Sequence, residues 1–166
     1  MYRKISDFLN DWKEESALTV KVFEAVEENK KSERLNDNVR SLERLAWHLT
    51  QSLTEMPAKA GLMSEDVLEH QPTPDSMSAI TALYKQYAET IAEMVKEKWK
   101  DDTLQQTENM YGESWERGKI LSVLVRHQTH HRAQMTVIMR VLGMKVPGVY
   151  GPSKEEWVAY GMAPME

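Results

Sequence analysis

The sequence contains no cysteine among its 166 residues, and this absence removes several kinds of chemistry. Disulfides, thiolate metal ligands and cysteine nucleophiles are all excluded. Basic residues are in the minority, because 21 Lys and Arg stand against 26 Asp and Glu, for a formal net charge of -5. The chain therefore lacks the basic character of proteins that bind nucleic acid. We expect no nucleic-acid partner.

Long apolar runs are also missing. No run approaches the roughly 18 residues that a membrane-spanning helix requires, and the N-terminal segment lacks the uninterrupted apolar core of a signal peptide. The apolar fraction of 41% and the charged fraction of 28% are those of an ordinary globular protein. We therefore predict a soluble, cytoplasmic protein without a membrane partner, in which residues 1–166 form a single domain.

Apolar residues recur at helical spacing in four long segments. The predicted helices cover about residues 5–26, 39–53 or 39–55, 75–99 and 119–142. Asn36, Asp37 or Asn38 is the expected cap of the second helix, and Pro57 ends its pattern. Gly143 is placed to stop the fourth helix. Four amphipathic helices predict an all-α protein, a four-helix bundle with long connections.

The connections are of mixed length and give weaker signals. Residues 57–74 predict a long loop with one short helical turn at 64–70, and loops of this length are often functional. The pattern also weakens over 100–118, where we expect short extended or irregular pieces. In the tail after Gly143, a helical turn at 154–160 carries Trp157 and Tyr160, whose rings we expect to dock on the body.

Three of the five histidines lie close together in the fourth predicted helix, as His127, His130 and His131. Helical residues turn ~100° each, so His127 and His131 are ~40° apart around the axis and ~6 Å apart along it. Two imidazoles placed in this way can bind one divalent ion. His131 also shares a face with Leu124 and Ile138, and buried histidines need polar partners. A shared metal would satisfy both and is the favoured interpretation, and ordinary protein hydrogen bonds are the alternative.

His48 is the natural third ligand, since it borders the apolar face of the second helix. A histidine hydrogen-bonded to protein groups is the alternative. Three histidines from two helices would leave an open coordination position, as catalytic metal sites do. We expect His130 to be a surface residue or to support the ligands from outside, and His70, in the loop beside Glu69, to be solvated.

Several motifs in this order resemble the DinB/YfiT-like superfamily. They are Trp47-His48, the segment His127-Gln-Thr-His-His-Arg-Ala-Gln134, Arg140, Leu142-Gly143 and Pro147. Ala133 is a mild departure, because members often carry glycine there. The resemblance covers nearly the whole chain and implies a four-helix bundle with a long crossover, frequently a homodimer. It also implies a divalent metal, zinc or nickel, held by three histidines that match His48, His127 and His131.

Characterised members of this superfamily are transferases or isomerases that use a low-molecular-weight thiol. The resemblance therefore implies a metal-dependent transferase that activates an external thiol for attack on a small-molecule electrophile. A metal can lower the pKa of a bound thiol. Two alternatives stay open: a metal-dependent hydrolase, with Glu43, Glu55 or Glu108 as the general base, or a metal-binding stress-response protein without catalysis. Solvated surface charge is the competing interpretation of each glutamate.

The remaining polar and sulfur-bearing residues favour structural roles. Arg132 and Arg140 can pair with carboxylates at the surface or bind an anionic thiol, and the surface ion pair is the favoured interpretation. Gln134 either supports the ligands through a hydrogen-bond network or lies free on the surface. Met135 and Met139 are expected to fill the core. We expect the tryptophans to anchor the packing of the core or to form part of a dimer face.

Overall fold

The computed structural model describes residues 1–164 and confirms a mostly helical fold with four long helices and one small sheet. The helices are α1 (Ile5–Glu24), α2 (Leu42–Lys59), α3 (Met77–Lys98) and α4 (Arg117–Val141). Strands β1 (Thr107–Met110) and β2 (Glu113–Glu116) form an antiparallel hairpin before α4. Short 3-10 helices cover Glu28–Lys30, Asp101–Gln105 and Trp157–Tyr160. No helix within residues 1–164 is long and apolar enough to cross a bilayer.

The four helices pack as a ring in which consecutive helices are not always neighbours. Helix α1 packs against α3 and α4, and α2 also packs against α3 and α4. Helices α1 and α2 therefore lie across the bundle from each other, and so do α3 and α4. A chain that crosses a bundle diagonally needs a long connection, which accounts for the segments 25–41 and 99–116.

The core lies between the apolar faces of the four helices. Its largest fully buried apolar side chains include Phe8, Trp12, Phe23, Leu49 and Ile91. The Trp12 indole stacks on Phe8 and donates to the backbone carbonyl of Ala88 on α3, at 2.8 Å. The expected core methionines, Met135 and Met139, are fully buried. The helices are thus held by burial of their predicted apolar stripes.

The predicted ends of α2 are wrong at both sides. Its cap is Ser41, whose hydroxyl accepts from the Arg44 N–H at 3.4 Å, and none of Asn36, Asp37 and Asn38 takes that role. The helix continues to Lys59 with Pro57 in its last turn, and the Pro57 carbonyl accepts from the Leu62 N–H at 2.9 Å. Gly61, at φ 66°, provides the left-handed residue that this end requires. Gly143 ends α4 in the same way, as predicted.

Two other helical predictions are also wrong in part. Helix α1 ends at Glu24, although Val26 beyond it is still buried and extends the apolar pattern. Residues 64–70 form turns and no helix. There the Asp66 carboxylate accepts from the Leu68 N–H, at 3.2 Å, and from the Thr54 hydroxyl, at 2.5 Å. Such local side-chain bonds compete with helical ones.

The predicted helical turn of the tail is the 3-10 helix Trp157–Tyr160, shorter than the range 154–160. Trp157 is partly buried, but Tyr160 is 65% exposed, so the prediction that its ring docks is wrong. The residue that fastens this segment is Tyr150, whose hydroxyl donates to Glu15 of α1 at 2.7 Å.

The weak pattern over 100–118 becomes a 3-10 helix followed by the hairpin. Met110 is fully buried, and the hairpin contacts α2 and α4. The turn places Tyr111 at φ 57°, an uncommon conformation for a residue with a side chain. Its ring lies 5.4 Å from the Lys59 ammonium at the end of α2. The hairpin thereby covers one end of the bundle near α2.

Candidate metal centre

The structure brings His48 of α2 together with His127 and His131 of α4. One nitrogen from each ring lies within 4.8 Å of the other two, and all three residues are half-buried. The ring centroids are 4.5 to 4.9 Å apart, with interplanar angles of 69° to 86°. These three rings, which we call the triad, meet because α2 and α4 are neighbours in the bundle. That they hold a metal stays a prediction.

The distance between two of the triad nitrogens fits a shared ion. The Nε2 atoms of His48 and His127 are 3.2 Å apart. Two nitrogens bound at about 2.05 Å to one tetrahedral zinc lie roughly 3.3 Å apart. The Nδ1 atom of His127 is buried and has no hydrogen-bond partner within the described residues. Three converging imidazoles without an acidic partner are a donor set suited to zinc, nickel or another borderline metal.

Gln134 orients one of the rings. Its Oε1 atom accepts from Nδ1 of His131 at 2.7 Å, and its Nε2 donates to His130 at 3.2 Å. With the proton on Nδ1, Nε2 of His131 is the nitrogen that can bind an ion. His130 is exposed and stands outside the triad, as the sequence predicts, and its ring lies edge-on to that of His131 with centroids 4.8 Å apart. His70 is likewise solvated, with a side chain 88% exposed beside Glu69.

The environment keeps the triad neutral at physiological pH. Burial lowers the pKa of His48 and of His127 to about 4, and the neighbouring His131 and Arg40 act in the same direction. Burial also lowers the pKa of His131, although its bond to Gln134 opposes the shift. Since a metal binds the neutral imidazole, these pKa values favour metal binding over protonation.

The triad lies beside the most buried line of α4, not on it. That line passes through Leu124, Gln128, Arg132 and Met139, and places His127 and His131 at its edge. Gln128 is fully buried, accepts from the Tyr84 hydroxyl at 3.0 Å and donates to Ser52 at 3.1 Å. The sequence analysis missed Gln128, although its position one turn after Leu124 was a usable signal.

The two arginines singled out on α4 differ in location. Arg140 forms the expected exposed ion pair, with Glu155. Arg132 also pairs with a carboxylate, that of Glu15, but it is 1% exposed, so the prediction of a surface pair is wrong. Its position is four residues after Gln128 on the buried line, and its partner comes from α1.

Of the three candidate bases, Glu55 alone lines the same cleft as a triad histidine. This acidic cleft, of about 380 Å³, is lined by His48, Gln51, Glu55, Ala58, Lys59, Asp66 and Glu69. Its outer wall is the 62–70 segment, held to α2 by a 2.9 Å bond from Gln51 to the Leu68 carbonyl. Glu108 instead pairs with Arg117 at 2.7 Å. Glu43, partly buried in the first turn of α2, does not line the cleft.

A second and larger cleft opens beside His131. Its volume is about 700 Å³, and its lining includes Arg40, Val137 and Gln134. The triad therefore has one histidine in each of two clefts. Sequence reasoning missed Arg40, Gln51 and Asp66, because they become neighbours of the triad only through the fold.

Comparison with known proteins agrees with this fold. The DinB family model matches residues 1–163. The chain is 33% identical over 162 residues to the protein YrdA of Bacillus subtilis strain 168, an alignment that covers 98% of this chain and 97% of YrdA. The chain therefore belongs to the DinB family.

Solved structures show the same architecture. A DinB-like protein from Bacillus cereus ATCC 10987 superposes with a TM-score of 0.80 at 30% identity, covering 90% of this chain and 100% of that one. The DinB-like protein YjoA from Bacillus subtilis gives 0.68 at 16% identity, over 86% of this chain and 97% of that one, and this second likeness concerns the fold alone. Family and triad together fit a metal-binding protein.

Proposed function

We propose that this protein is a metal-dependent transferase that activates an external low-molecular-weight thiol for attack on a small-molecule electrophile. His48, His127 and His131 would hold a divalent ion, zinc or nickel. The observation that carries the proposal is the position of the triad, with His48 in one cleft and His131 in another. Two clefts at one centre suit a reaction of two small molecules.

The chain has no thiol of its own, so the nucleophile must come from outside. A bound divalent ion supplies Lewis acidity, which lowers the pKa of a thiol so that its thiolate is present at neutral pH. The rings of the triad provide neutral nitrogens, and Gln134 orients His131. The Glu55 carboxylate lines the cleft of His48 and would accept the proton that the thiol loses.

A metal-dependent hydrolase is the second candidate, and Glu55 is the observation that favours it. A carboxylate in the same cleft as a metal ligand can act as general base toward water. Non-catalytic metal binding is the third. The homodimer and the cytoplasmic location also stay predictions, and gel filtration with light scattering measures the first of them.

The test begins with the metal content of the untagged protein by mass spectrometry. We expect about one equivalent in wild type, lost or much weakened in His48→Ala, His127→Ala and His131→Ala. His70→Ala, which removes a solvated histidine, is the matched control and keeps the metal. No metal in wild type, even after zinc or nickel is added, would overturn the proposal.

Activity then separates the three functions. Glutathione, bacillithiol and mycothiol are each assayed with monochlorobimane as electrophile, and p-nitrophenyl acetate is assayed without thiol. Conjugation above the uncatalysed rate, absent in His127→Ala, supports the transferase. Thiol-independent ester hydrolysis supports the hydrolase, and bound metal without either activity supports the third candidate.

A further inference from the structure

The cleft beside His131 is apolar over most of its lining, unlike the acidic cleft beside His48. Its apolar walls are Leu35, Val39, Leu45, Val137 and Ile138. We call this cleft the apolar groove. Val137 is 62% exposed and Leu35 is 37% exposed, so these walls are open to solvent in the described chain. The groove offers apolar surface directly next to the triad.

Arg40 is the single charged side chain among the residues that line the apolar groove. Within residues 1–164, no carboxylate lies within ion-pair distance of its guanidinium, and the guanidinium makes no hydrogen bond to protein. Arg44, four residues further on, behaves differently, because it donates to the Thr73 hydroxyl at 3.1 Å.

An exposed arginine is most often a solvated surface charge. Arg40 differs in its setting, because it borders an apolar groove that contains no acidic residue, next to candidate metal ligands. The acidic cleft, by contrast, carries the carboxylates of Glu55, Asp66 and Glu69. The charged residues that line the two clefts are thus mostly of opposite sign, and the positive charge in the apolar groove suits an anion.

We propose that the apolar groove binds a small molecule with an apolar body and a terminal anionic group, and that Arg40 pairs with the anion. A guanidinium binds carboxylates and phosphates through two parallel hydrogen bonds, which gives direction as well as affinity. The apolar walls would bury the body of the ligand against His131. The inference rests on the proposed function in one respect, because it names the chemical class of one of the two reactants.

Binding of octanoate tests the inference without an assay of activity. Isothermal titration calorimetry is carried out on the protein as purified and again after removal of metal with a chelator. Octanoate carries both the apolar body and the anion, octylamine carries the same body with the opposite charge, and acetate carries the anion without the body. We expect octanoate to bind much more tightly than either of the other two, in both preparations.

Substitution of Arg40 then locates the anion. A charge-assisted hydrogen bond is worth enough that Arg40→Gln should weaken octanoate binding by about tenfold to a hundredfold. Arg44→Gln is the matched control, and we expect it to change the binding less than about twofold. Binding that Arg40→Gln leaves unchanged, or that disappears when the metal is removed, would overturn the inference, because the carboxylate would then bind the ion itself.

Substitutions in the wall of the apolar groove test where the alkyl chain of octanoate binds. Val137→Glu places a carboxylate in the groove and should abolish octanoate binding. Val141→Glu is the matched control on α4, because Val141 is 63% exposed but does not line the groove. Thermal unfolding shows whether each variant is folded. Equal binding by both folded variants would also contradict the inference.

The results separate this inference from the proposed function. If octanoate binding depends on Arg40 but the protein shows no thiol transfer, the inference about the apolar groove is supported and the proposed transferase function is contradicted. If the protein transfers thiols but binds octanoate and octylamine equally well, the proposed transferase function is supported and the inference that the groove binds an anion is contradicted.

Discussion

Arg132 of α4 lies buried against Glu15 of α1, with its Nη2 atom 2.5 Å from the carboxylate oxygen Oε2. The guanidinium also donates to the Glu15 carbonyl at 2.9 Å and to the Thr19 hydroxyl at 3.0 Å. Tyr150 completes the group, because its hydroxyl lies 2.5 Å from Nη2 and its ring faces the guanidinium. These contacts fasten the chain after α4 onto α1, one residue away from His131.

Breaking this pair should strongly destabilise the fold. Arg132→Met leaves the Glu15 carboxylate, 14% exposed, without its positively charged partner, and we expect a loss of about 3–5 kcal/mol in the free energy of unfolding. Urea unfolding followed by circular dichroism measures it. Arg140→Met, which removes the exposed pair with Glu155, is the control and should cost less than about 1 kcal/mol. Equal losses in the two variants would show that burial of the pair has no consequence.

Gln134→Ala should weaken metal binding without removing it. The substitution leaves Nδ1 of His131 without its acceptor, so the ring is free to rotate and to change tautomer. Loss of such a supporting hydrogen bond typically costs about tenfold to a hundredfold in metal affinity. Competition with a chromophoric zinc chelator measures the affinity. The control is Gln86→Ala, on the exposed face of α3, and wild-type affinity in Gln134→Ala would contradict the assigned role.

Without metal, the triad should make the protein less stable as the pH falls. The pKa of His48 and His127 is about 4 in the fold and about 6.5 in an unfolded chain. Between these values the unfolded chain binds more protons than the folded one. The free energy of unfolding therefore falls as the pH decreases from about 6.5 to about 4.

Urea unfolding of chelator-treated protein at several pH values measures this dependence. His127→Gln removes one of the three histidines whose pKa is lowered in the fold, so we expect its stability to fall less steeply over the same interval. His70→Gln keeps the triad and should follow wild type. A steeper fall in His127→Gln than in wild type would contradict the neutral triad.

Gly118→Ala should destabilise the protein, although alanine normally favours a helix over glycine. A Cβ atom at this position would lie 2.2 Å from the carbonyl oxygen of Tyr2, whose N–H donates to the Gly118 carbonyl. The N-terminal segment would have to move, at a cost of about 1–3 kcal/mol. Gly151→Ala, which meets no atom within 4 Å, is the control for thermal unfolding. A higher melting temperature in Gly118→Ala would show that the N-terminal segment moves away from the new methyl group at little cost, and would contradict the prediction.

The helices were predictable from the sequence because their signal is local. Apolar spacing located α1, α3 and α4 to within a few residues, and Gly143 marked the end of α4. The hairpin was not predicted as such, and residues 100–118 were expected only to form short extended or irregular pieces. Each strand has just four residues and is stabilised by contacts with α2 and α4. The end of α2 was misplaced because Pro57 falls in the last turn, where its carbonyl still accepts bonds from the following residues.

Some features of the candidate site follow from local contacts along the chain, and others depend on contacts between residues that are distant in the sequence. The i,i+4 spacing of His127 and His131 by itself determined that two imidazoles can converge, because helical geometry is set by neighbouring residues. Only the tertiary structure decided that His48, 79 residues from His127, completes the triad. It alone decided that Arg132 is buried, since its partner Glu15 is 117 residues away. It alone placed an acidic cleft and an apolar groove beside the triad, because such surfaces form only when separate helices pack.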